Sequence, residues 1–271
     1  MANLHRVMNI TMLPAKRIAR IMLLVLVPGA TPTMVQAALP AMMPAPTGND
    51  AAHYRSCLAA ADSDPKTALN EALKWANAGG GLPAQHCAAL ALVGVGRYGE
   101  AASRLDALAR AKNVPGVAFR ATLFDQAGNA WLLDGNGAKA ITSLTSALAL
   151  SGGDPDLFAD LARAQAMRKN WREADMNLTQ ALQMDPGRPD LLVLRASARR
   201  ALGELKPAWA DLNKALALRP GDGNALLERG LLRKQVGDMG GARRDFQAAL
   251  KAARSTATQD AARENLDALS E

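Results

Sequence analysis

The sequence predicts an all-α solenoid, about six helix pairs stacked along one axis and closed by a final helix. Three observations carry this. Of the 271 residues 49% are hydrophobic but only 4% aromatic, and the abundance of alanine and leucine suits closely packed helices better than sheets of β-branched and aromatic residues. Small residues recur at a fixed step: Ala174, Ala208 and Ala242 lie 34 residues apart, as do Ala181, Ala215 and Ala249. Larger and helix-ending residues keep that step, Phe158 with Leu192 and Leu226, and Pro186 with Pro220. One register shared by small, large and breaking residues marks a repeat architecture, in which no helix pair can bury its apolar face without a neighbour.

Two helices of about 12 to 14 residues plus short turns fill such a period, and small residues where the axes cross permit close approach. Residues 155–188 show the unit whole: Phe158, Leu161 and Ala162 in the first helix, Trp171 and Ala174 opening the second, then Leu178, Ala181 and Pro186. This frame resembles the tetratricopeptide repeat, with a large apolar residue at position 4, small residues at positions 8, 20 and 27, and proline at 32. The resemblance implies a right-handed superhelix whose first helices line a concave groove. It also implies that the groove holds an extended peptide or a partner helix.

Taken in order, residues 1–37 read as a secretory signal. Lys16, Arg17 and Arg20 precede the apolar run Ile21 to Val27, Pro28 and Gly29 end it, and Val35-Gln36-Ala37 offers small residues for cleavage. The run is shorter than the roughly 20 residues a membrane helix needs, so the expected location is the bacterial periplasm, with membrane attachment only if the signal stays uncleaved. Residues 38–48, with Pro40, Pro44 and Pro46, read as a flexible linker. Residues 49–81 form a degenerate first repeat carrying Ala68 and Trp75, in which Ser63-Asp64-Pro65 replaces the turn. Residues 82–120 form a second, with Ala89, Gly96, Tyr98 and Ala101; the step from Ala101 to Ala140 is 39, so about five extra residues near 114–120 lengthen a connection or a helix. Residues 121–154, with Phe124, Gly128, Gly135, Ala140 and Ala147, form the third repeat. Residues 155–188, 189–222 and 223–255 follow without a gap, Arg254 replaces the closing proline, and residues 256–271 read as a capping helix with a polar face.

The fifth and sixth repeats carry Arg195 and Arg229 at position 7 together with Asp211 and Asp245 at position 23, where the fourth carries Leu161 and Asn177. The two positions change together, which predicts an ion pair from first to second helix. Cys57 and Cys87 are the only cysteines. They fall on first helices of adjacent repeats, at positions that should face each other, and an exported chain meets an oxidising compartment, so a disulfide is expected.

Several function classes find little support. The formal charge is +7, but without Arg6, Lys16, Arg17 and Arg20 of the leader it is +3, and the remaining cations alternate with acids rather than forming a polyanion-binding stripe, so nucleic acid is not an expected partner. His53 and His86 near the cysteines match no zinc spacing, so no metal is expected and the histidines are read as groove or surface residues. Residues 94–99 match G-x-G-x-x-G, yet a helix precedes them where a nucleotide fold needs a strand; Gly96 is read as the turn of a helical hairpin. Neither a nucleophile with an activating base nor a cofactor motif is present, and no enzymatic activity or cofactor is expected.

By the resemblance, groove positions fall on Asp125, Gln126 and Asn129, on Asp160 and Arg163, on Ser197 and Arg200, and on Asn224, Glu228 and Lys234. The family's clamp for a terminal carboxylate needs lysine at position 5, and Asp125 stands there, so that mode is not expected. The reading is a protein-interaction scaffold or adaptor in the envelope that binds a protein or peptide segment. The alternative is a module of the same fold that binds a small molecule or polysaccharide during envelope assembly.

Overall fold

The computed structural model describes residues 49–253 and 255–270; the expected signal at 1–37 and linker at 38–48 lie outside them. Thirteen helices occupy the described residues. They are α1 (Asn49–Ser63), α2 (Pro65–Asn77), α3 (Gly81–Gly94), α4 (Tyr98–Arg110), α5 (Val117–Leu133), α6 (Gly137–Ser151) and α7 (Pro155–Met167). The remainder are α8 (Trp171–Met184), α9 (Pro189–Ala201), α10 (Leu205–Leu218), α11 (Gly223–Gln235), α12 (Met239–Ala252) and α13 (Thr256–Asp267). Consecutive helices pack on one another throughout, and first helices also touch the next first helix at α1 and α3, α5 and α7, α9 and α11, and α11 and α13. This is an all-α solenoid, built from neighbour contacts alone.

Helix starts are set by local chemistry. Asp64, Asp154 and Asp222 accept backbone N–H bonds at the heads of α2, α7 and α11, and Pro65, Pro155 and Pro189 occupy first turns where a missing N–H costs nothing. The turn inside a helix pair needs one left-handed residue. Gly96, Gly135, Gly203 and Gly237 supply it with φ between 78° and 87°. The fourth repeat places Lys169 there at φ 62°, alone among non-glycine described residues. A Cβ in that region costs about 1 kcal/mol, so Lys169→Gly is expected to raise unfolding free energy by about that amount in urea titration. No gain would mean that the turn relaxes around lysine without strain.

The alanine register is the line of closest approach. Ala101, Ala140, Ala208 and Ala242 are fully buried and Ala174 nearly so. Positions 8 and 24 are matched in size. A Cβ on Gly128 would stand 2.4 Å from the Leu144 side chain, and one on Gly230 would stand 2.5 Å from the Phe246 ring. One apolar cluster runs from Tyr54 to Ala164 and a second from Ala159 to Ala262, so α7 turns one side to each.

The extra residues after Ala101 serve both purposes left open by the spacing. Residues 111–116 form the connection, and α5 has 17 residues against 13 in α7, α9 and α11. The added turn buries Phe119 and lets Arg120 donate to the carbonyls of Ala109 at 2.7 Å and Ala111 at 3.1 Å, capping the end of α4. The three glycines of residues 94–99 have packing reasons. A Cβ on Gly94 would stand 2.5 Å from Pro65, one on Gly99 would stand 2.7 Å from the Asp134 carboxylate, and Gly96 is the left-handed turn.

Cys57 of α1 and Cys87 of α3 are joined by a disulfide with Cα atoms 6.2 Å apart, and both are buried. The neighbouring His86 corrects the expectation that it lines the groove or surface: it is fully buried. The longer α5 is the reason, since its added turn sets Phe119 edge-on to the imidazole with centroids 5.5 Å apart. Gln126 Oε1 can only accept, so His86 Nε2–H donates to it at 2.7 Å and Nδ1 accepts from the Tyr54 hydroxyl. Burial lowers the imidazole pKa to about 4 and raises that of Tyr54, keeping both neutral. His53 is exposed and stacks on Trp75.

Candidate functional site

The first helices form a continuous row, and all ten residues assigned to the groove by register are neither fully exposed nor fully buried. They are not simply solvated. Ser197 Oγ and Arg200 Nε donate to Glu228 at 3.2 and 3.0 Å, joining α9 to α11. Thr258 donates to Asn224 at 2.7 Å and Lys234 donates to Asn265 at 3.3 Å, joining α11 to α13. Gln126 is committed to His86 and so belongs to the seam between α3 and α5. The row is therefore stiffened by bonds between repeats, a preorganised surface that loses little side-chain freedom on binding.

The densest group lies where α5, α7 and α9 adjoin. Asn129 Nδ2 donates to Asp125 at 3.1 Å, one turn earlier on α5, and Arg163 donates to Asp160 on α7. Arg188, just before α9, grips Asp190 through Nε at 2.9 Å and Nη2 at 2.7 Å and also donates to Asp156 at 2.9 Å. Asp156 and Asp190 were missed in the sequence. Both stand at position 2 and keep the 34-residue step, so the register offered the signal.

These carboxylates differ in how they are satisfied. Burial tends to raise Asp190, but bonds and charge from Arg188, with help from Arg163, hold it below the usual range. Burial pushes Asp125 up to about 7, with Asp160, Asp154 and Asp156 adding like charge and the Asn129 bond offsetting part. Burial likewise holds Asp160 above the usual range, against the pull of Arg163. Folded Asp125 thus keeps its proton to about pH 7, whereas in the unfolded chain it releases it near 4. Its contribution to stability is whole below pH about 4 and is lost as pH rises through 7. Asp125→Asn is expected to match wild type at pH 4 and to be more stable at pH 8 by about 2 kcal/mol or more. Urea titrations at the two pH values measure this; equal pH slopes in both proteins would contradict it.

The structural ion pairs lie behind the groove. Arg195 on α9 grips Asp211 on α10 through Nε at 2.9 Å and Nη2 at 2.7 Å, and Arg229 on α11 grips Asp245 on α12 at the same two distances. A second arginine was not foreseen: Arg199 and Arg233 each donate through Nη1 at 2.9 Å to the same carboxylates. They too are 34 residues apart, with Gln165 in the fourth repeat. Elsewhere, Asp106 accepts from Trp131 Nε1 at 2.8 Å and Ser143 at 2.9 Å, tying α4 to the third repeat.

No family model matches the chain. No curated protein matches it in sequence. Solved structures do resemble it. A tetratricopeptide repeat protein from Parabacteroides merdae aligns with a TM-score of 0.60 at 16% identity, covering 88% of this chain and 91% of that one. MamA aligns at 0.52 and 19% identity over 60% of this chain and 93% of its own. YrrB, described as a TPR protein with an unusual peptide-binding site, aligns at 0.51 and 17% identity over 68% and 91%.

Proposed function

We propose that this chain, a tetratricopeptide-repeat protein by its fold, is a non-catalytic interaction scaffold of the bacterial envelope that holds an extended segment of another protein along its first helices. The observation that carries the reading is the row of half-buried polar side chains on α5, α7, α9 and α11, braced between repeats by Glu228 and Asn224. Such a row offers hydrogen-bonding groups at fixed spacing to a strand-like peptide. YrrB, of like fold, is described as having a peptide-binding site. The envelope assignment is supported by the basic and apolar pattern of Lys16 to Val27 and by the disulfide, a bond that persists in oxidising compartments.

Panning the purified chain against a random 12-residue peptide library tests this. Peptides are expected that bind wild type and a Lys214→Ala variant, altered on the exposed face of α10, but not a variant with Asp160, Arg163 and Arg200 all changed to alanine. Far-UV circular dichroism of the triple variant verifies its fold. Recovery of no peptide, or of peptides that bind the triple variant equally, would overturn the reading.

A further inference from the structure

His86 is a titratable side chain with no part in the proposed binding row, and its surroundings are set against charge. It is fully buried where α1, α3 and α5 meet, and each ring nitrogen is bonded to a neutral partner, Nδ1 to the Tyr54 hydroxyl and Nε2 to the Gln126 amide oxygen. Phe119 stands edge-on to the ring, and the adjoining Cys87 is held in the disulfide.

The charged groups of the elements packed around it are engaged elsewhere or face solvent. On α1, Asp50, Arg55 and Asp62 are exposed and His53 stacks on Trp75. On α2, Lys66, Glu71 and Lys74 are exposed. On α4, Glu100 pairs with Arg97 and Arg104, and Asp106 accepts from Trp131, Ser143 and Arg110. On α5, Arg120 caps α4 and Asp125 is bonded to Asn129. Asp125 keeps its proton up to about pH 7, so in acid it brings no negative charge.

A proton on His86 therefore makes a buried cation without a counter-charge. Nδ1 becomes a donor as well, so the Tyr54 hydroxyl must accept from it and gives up the acceptor of its own proton. Both costs vanish when the imidazole reaches water. The ring also sits at an open seam: α3 and α5 approach less closely than α1 and α3 or α5 and α7, and a polar bridge between them runs from His86 to Gln126.

We propose that this seam is a proton-sensitive joint: protonation drives His86 from its place between Tyr54, Gln126 and Phe119, and the head of the solenoid, α1 to α3 tied by the disulfide, loosens from the third repeat while α9 to α12 keep their packing. Burial lowers the imidazole pKa to about 4 in the folded chain, against 6.5 in the open one. The joint is thus tight above about pH 6.5 and weakens as pH falls toward 4. Asp125 has the opposite trend over nearly the same range, so unfolding of the whole chain conceals the effect and a site-resolved measurement is needed.

Hydrogen exchange of the full chain at pH 7 and pH 4.5, corrected for intrinsic rates, supplies it. Opening of α1 to α3 is expected to rise by about tenfold or more at the lower pH relative to α9 to α12. His86→Gln keeps a donor and an acceptor there but takes up no proton, and is expected to reduce that rise to less than about threefold. In wild type labelled at histidine Cε1, the His86 resonance is expected to leave its buried, neutral position in step with the exchange, a readout that does not depend on how well the variant folds. Equal acceleration of head and tail, acid opening that persists in folded His86→Gln, or opening with His86 still neutral and buried would overturn the proposal.

Discussion

Asp245→Ala is expected to lower the unfolding free energy by about 3 to 5 kcal/mol, the range for removing one partner of a buried ion pair. The Asp245 side chain is 4% exposed and balances two guanidinium groups, Arg229 through a two-pronged grip and Arg233 through Nη1. Without it, two cations face each other between α11 and α12, with only the Arg233 contacts to the Gly241 carbonyl, Asp238 and the Trp209 ring remaining. The fourth repeat shows how the same place is filled without charge, by Leu161, Gln165 and Asn177. The triple change Arg229→Leu, Arg233→Gln and Asp245→Asn copies that solution and is expected to stay within about 2 kcal/mol of wild type. Urea titration of both variants checks this. A single mutant that costs under about 1 kcal/mol would show the carboxylate to be solvated, contrary to this account.

The second large effect is expected at the disulfide. Cys57 and Cys87 are 30 residues apart, and closing a loop of that length restrains the unfolded chain by roughly 3 to 4 kcal/mol. Both sulfurs are buried, so paired replacement by alanine is a cleaner test than a reductant. Because a solenoid transmits stability mainly between neighbours, the loss should concentrate in the first two repeats. Hydrogen exchange is expected to accelerate across α1 to α4 and to change little in α9 to α12. Uniform acceleration along the chain, or no loss of stability, would contradict that expectation.

Much of the molecule is legible in its sequence, and for definite reasons. The constant step of Ala174, Ala208 and Ala242 is where helices cross most closely, so the packing constraint is written in residue size. Arg195 and Asp211 could be paired because both depart together from the fourth repeat. Arg199 and Arg233 follow the same step and were overlooked because a surface arginine on a helix needs no explanation by itself. His86 was misread for a different reason. Its register position faces the groove in a regular repeat, but the added turn of α5 brings Phe119 over it, and Gln126 of the third repeat bonds its Nε2. Insertions of that kind alter burial without altering the repeat pattern, so periodicity cannot report them. The condition of Asp125 was hidden likewise, since it depends first on burial and then on Asp160, Asp154 and Asp156 of the next repeat lying close in space.

The central claim is that the first helices, not the second, hold the partner. Photo-cross-linking tests it most directly, with benzoylphenylalanine placed singly at Asp160, Ser197 or Arg200 on the first helices and at Asn213, Lys214 or Arg244 on the second, and a library-selected peptide as probe. Cross-links are expected from the first set and not from the second. Equal yields from both sets, or cross-links from the second helices alone, would contradict the account.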